Sequence, residues 1–64
     1  MNIGEAILAG DARAYGQLAD IIRSRGGTHA KTLTVVKEVF AKAGQPIPSD
    51  AEIDAKLGEA DEFQ

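Results

Sequence analysis

The sequence predicts an all-α fold: a small bundle of three to four short helices, with a helix-turn-helix core as an alternative arrangement of its middle pair. Two observations carry this. Apolar residues recur at three-to-four-residue spacing throughout, and no stretch alternates with the period of two that a half-buried strand needs. Helix-starting residues (Asn2, Asp11, Thr28, Ser49) and helix-stopping glycines (Gly10, Gly26 and Gly27, Gly44, Gly58) punctuate the chain in the right order. At 64 residues it is one small domain, residues 1–64, with no internal repeat.

The first helix is predicted over about residues 3–9. Asn2 caps it, Glu5 takes the capping-box position, and Ile3, Ile7 and Leu8 form its apolar edge. Asp11 caps the second, about 12–25, whose apolar arc holds Ala14, Tyr15, Leu18, Ala19, Ile21 and Ile22. Gly16 projects at the edge of that arc and reads as a tolerated surface glycine, ahead of a point of close backbone packing. One of Gly26 and Gly27 is expected in the left-handed conformation that ends a helix.

Thr28 caps the third helix, about 29–43. Its arc of Leu33, Val35, Val36, Val39, Phe40 and Ala43 spans about 160°, wide for a surface helix, so it is expected to be the central element. Pro46 and Pro48 each push their predecessor away from helix, making residues 45–48 an extended connector that Ile47 is expected to pin to the core. Ser49 and Glu52 form a second capping box, opening a fourth helix over about 50–57 that Gly58 ends. An acidic tail, 58–64, follows.

Ten Asp and Glu against seven Lys and Arg give a formal charge of −3, unevenly laid out. Residues 23–42 carry Arg23, Arg25, Lys31, Lys37 and Lys42 against Glu38 alone, whereas residues 50–64 carry six carboxylates against Lys56. Either the acidic end folds back over the basic middle, or the basic strip meets an acidic partner. Burial of only about 60% of the unfolded chain's surface makes a lone monomer marginal, so a homo-oligomer or a host partner is expected.

Several chemistries fall away. Without cysteine there is no disulfide or thiolate metal site, and the single His29 lacks further nitrogen or sulfur ligands for zinc. His29 projects into the apolar arc of the third helix and reads as a partly buried structural residue. The run Gly26 to Thr32 places Lys-Thr after glycines, but Ala30 stands where a phosphate loop needs glycine. A helical domain of this size has little room for a ligand pocket of about 300 Å³. No catalytic constellation, cofactor or metal is expected. The longest apolar run, Ala6 to Ala9, cannot span a membrane, and the N-terminus lacks the basic start of a secretion signal, so a cytoplasmic location is expected.

These observations predict a non-enzymatic protein-interaction module: an adaptor, inhibitor or assembly subunit of the compact kind that phage and mobile-element genomes carry. A basic helical face made by Arg23, Arg25, Lys31, Thr34, Lys37 and Lys42 would meet an acidic patch on a protein partner. Phe63, flanked by Asp61 and Glu62, would dock on its own domain or serve as an aromatic anchor. Val35 and Val39 offer a homodimer seam. The alternative is a nucleic-acid-binding regulator with helix 29–43 in a groove: Ile22, Leu33 and Val36 fit helix-turn-helix core positions, while Arg23 and Thr28 do not.

Overall fold

A computed structural model describes residues 2–62, which form α1 (Ile3–Leu8), α2 (Ala12–Ser24), α3 (His29–Lys42) and α4 (Asp50–Asp61). No strand occurs among the described residues, and the all-α class holds. Each helix starts where its sequence supplies an acceptor for orphan N–H groups. The Asn2 carboxamide oxygen accepts the Glu5 N–H at 2.8 Å, and Asp11 accepts the Arg13 N–H at 3.0 Å. Thr28 Oγ1 accepts the Lys31 N–H at 3.2 Å. At α4 the Ser49 hydroxyl accepts the Glu52 N–H, and Glu52 reaches back to the Ser49 N–H, completing the capping box. Gly26 ends α2 at φ +82°, where the Gly27 N–H bonds the Ile22 carbonyl at 2.8 Å.

The fourth helix corrects the sequence reading. It does not stop at Gly58 but runs on to Asp61, so most of the expected acidic tail is helical. Mid-helix glycine costs about 1 kcal/mol relative to alanine. The extra turn offsets this by burying Ala60, which is only 4% exposed, against α2.

That contact also explains which helix is central. α2 and α3 each pack against all three other helices, but the contacts of α2 are the more extensive, above all those with α4. Size contributes: Ala12 and Gly16, one turn apart on α2, are both buried, and at Gly16 the missing side chain leaves space for Ala60 of α4 to come close. Gly16 is therefore a packing residue rather than a surface one; a β-carbon built on it would lie 2.8 Å from Ala60 Cβ. The core takes a residue from every helix, Ile7, Ala14, Tyr15, Val36 and Ile53, with Leu18, Leu33, Val39 and Phe40 packed around them.

Three further expectations fail for related reasons. Ile21 is 42% exposed although it shares a side of α2 with Ala14, because the buried residues of α2 (Ala12, Ala14, Tyr15 and Gly16) all lie in its first half. Ala43, the C-cap of α3, is exposed where its arc reaches the helix end. Ile47 is 58% exposed and pins nothing; the connector is held instead by hydrogen bonds at its two ends, the Gln45 N–H to the Phe40 carbonyl at 3.0 Å and the Ser49 cap. A different tether joins α4 to the α1–α2 turn. Lys56 Nζ donates to the Gly10 carbonyl at 2.9 Å and pairs with Glu59 at 3.6 Å.

Tyr15 carries a measurable consequence of this packing. Its burial on α2, reinforced by the negative charge of Glu52, pushes the phenol above its ordinary value of 10.0. Above pH 10 the unfolded phenol loses its proton while the folded one keeps it, so stability falls as pH rises toward the folded value. Chemical denaturation of the wild type and Tyr15→Phe at pH 8 and pH 10.5 should show a smaller alkaline loss for the variant. Equal losses would mean that Tyr15 is not in this environment.

Candidate functional site

Two surfaces qualify, and α3 contributes to both. Its outer face is the first. A helix with one apolar side turns the opposite side to water, and on α3 that exposed side carries Ala30, Lys31, Thr34, Glu38, Ala41 and Lys42. Lys31 and Lys42 lie on the same face, three turns and about 16 Å apart at 1.5 Å per residue. Glu38 interrupts the strip between them. Thr34 donates its hydroxyl to the Ala30 carbonyl at 3.1 Å, so it offers mainly its methyl group and acceptor lone pairs outward.

The predicted basic set does not stay together. Arg23, on the last turn of α2, pairs with Asp20 at 3.5 Å. Lys37 is half-buried and turned toward α4, where it forms an ion pair with Asp50. Here the acidic end does fold back on the basic segment, at Lys37 and, through Asp54, at His29. Arg25, Lys31 and Lys42 remain: none has an ion-pair partner among the described residues. Phe63 lies outside the described residues. Of the proposed dimer-seam pair, Val35 is half-buried, and Val39 packs against the core.

The second surface is an open cleft of about 320 Å³ where α2, the start of α3 and α4 meet, larger than the sequence reading allowed. Gly16 and Gly58 provide the room, Leu57 an apolar wall, and Arg23 and Asp61 charged edges. Thr32, 3% exposed, lines it with its hydroxyl 3.5 Å from the Thr28 carbonyl. Gly58 and Asp61 lie beyond the helix that the sequence predicts, which ends at Leu57; in the continued α4, Leu57 and Asp61, four apart, share one helical face.

His29 stands at the edge of this cleft and corrects another expectation. It is exposed, and its Nε2 lies 2.9 Å from Asp54 Oδ1, joining the first turn of α3 to α4. As the first residue of the helix it sits before the apolar arc has packed against anything. No cluster of three or more His, Cys, Asp or Glu able to hold a metal occurs among the described residues, and none of their helices is long and apolar enough to cross a membrane. No protein-family model, curated protein or solved structure matches the chain.

Proposed function

We propose that this chain is a non-enzymatic protein-interaction module that presents the α2 end and outer face of α3 to an acidic patch on a protein partner. One observation carries the reading: within a single basic segment, Arg23 and Lys37 are satisfied internally, whereas Arg25, Lys31 and Lys42 are exposed and without an ion-pair partner among the described residues. Exposed charges of this kind add little to a fold. At an interface they steer encounter and select partners of opposite potential. Adaptor, inhibitor and assembly subunit all fit this description.

Arg25, Lys31 and Lys42 changed together to Glu should abolish capture of a stoichiometric protein from nuclease-treated lysate. Surface substitutions of this kind should leave helicity intact and stability within about 0.5 kcal/mol per site. Lys37 is left alone because reversing it would break the ion pair to Asp50. Undiminished capture by the triple variant would refute the reading.

Nucleic-acid binding is the second reading, favoured by the short turn that joins α2 to α3 and by the exposure of Lys31 and Thr34 on α3. Salt separates the two. Affinity for a labelled duplex should fall by orders of magnitude between about 50 and 200 mM salt if phosphate contacts dominate, and a protein interface anchored by apolar contacts should weaken far less.

A further inference from the structure

The connector between α3 and α4 leaves apolar side chains exposed on a constrained backbone. Pro46 and Pro48 fix φ at alternate positions and hold Gln45 and Ile47 out of the helical region. Both ends are tied, at the Gln45 N–H bond to Phe40 and at the Ser49 cap. A segment this constrained has little conformational freedom left to lose on binding. Pro48 is half-buried, but Pro46 stays exposed and Ile47 is 58% exposed, the most exposed of the large hydrophobic residues described. No hydrogen bond among the described residues reaches the Ile47 N–H or the carbonyls of Pro46, Ile47 and Pro48.

We propose that Gln45-Pro46-Ile47-Pro48 is a preformed extended ligand for a groove lined by aromatic side chains on a protein partner. This deepens the interaction-module reading and rests on it. The chemistry selects that occupant. Proline rings and a branched aliphatic chain on an extended backbone present flat apolar faces that stack on aromatic rings, the mode by which proline-rich segments are read. Free carbonyls accept from a tryptophan or tyrosine donor at the groove's edge. Lys42, three residues before Gln45 and exposed, places a cation at one end of the segment, so the charged face of α3 and the apolar anchor adjoin along the chain.

The test is a full-length chain carrying a benzophenone photo-crosslinker in place of Gln45, irradiated in nuclease-treated lysate, with the crosslinked peptides sequenced. Crosslinks should fall beside aromatic residues of the captured protein, and Ile47→Asp in the same background should cut their yield at least tenfold without lowering helicity. Crosslinks confined to a second copy of the chain, to a surface without aromatic residues, or unaffected by Ile47→Asp would overturn the proposal. So would an absence of crosslinks. If the Arg25, Lys31 and Lys42 triple variant loses capture while Ile47→Asp does not, the connector inference fails and the charged-face reading survives. If neither change matters, both fail.

Discussion

Ile53→Ala should leave the chain largely unfolded at 25 °C. Ile53 has no exposed surface and is the fully buried large side chain that α4 contributes to the core shared with Ile7, Tyr15 and Val36. Truncating a buried isoleucine to alanine costs about 2–5 kcal/mol, in part because the cavity left behind does not fully close. A single core in a domain of this size rarely supplies more than about 3–5 kcal/mol in total. The loss is therefore comparable to the whole stability. Circular dichroism with thermal melting reads this directly, and Ile53→Val, at about 0.5–1.5 kcal/mol, should remain folded with a lowered Tm. A melting curve for Ile53→Ala close to wild type would show that α4 does not dock through this residue.

Gly16→Ala should destabilise the protein, and here the sign is the informative part. On an exposed helical surface the same change stabilises by up to about 1 kcal/mol, because alanine is the better helix former. At position 16 the new methyl group would lie 2.8 Å from Ala60 Cβ. That neighbour is fixed to the α4 backbone and cannot swing away, so relief requires the two helices to separate. Forcing a methyl into a packed contact costs about 1–3 kcal/mol, which outweighs the propensity gain. The net loss should be about 1–2 kcal/mol, lowering Tm by about 5–15 °C in a domain this small. Adding Ala60→Gly should restore much of it, since the two positions touch and their effects couple. A raised Tm for Gly16→Ala would return the glycine to the surface and α4 to a looser position.

Local chemistry was legible in the residues themselves. Asn2, Asp11, Thr28 and Ser49 start helices because each offers a side-chain oxygen to an orphan N–H, an interaction contained within four residues. The helical class and the apolar sides of α1 and α3 follow from spacing that any short window reveals. The candidate site was only half legible. The spacing of Lys31 and Lys42 puts them on one face of α3, but the withdrawal of Lys37 from that set depends on Asp50, thirteen residues away.

The sequence by itself determined that this protein is helical, where its helices begin, and that its positive charge is concentrated between residues 23 and 42. Tertiary structure alone decided that α2 is the hub, that Gly16 is buried, that α4 continues through Gly58, and that Ile47 faces outward. The division has one physical cause. Caps and periodicity are satisfied within a helix, whereas the burial of a small residue or the exposure of a large one depends on which distant helix comes to rest against it. Glycine and alanine carry almost no side-chain signal of their own, so the α2–α4 contact they permit becomes visible only once Gly16 and Ala60 are brought together.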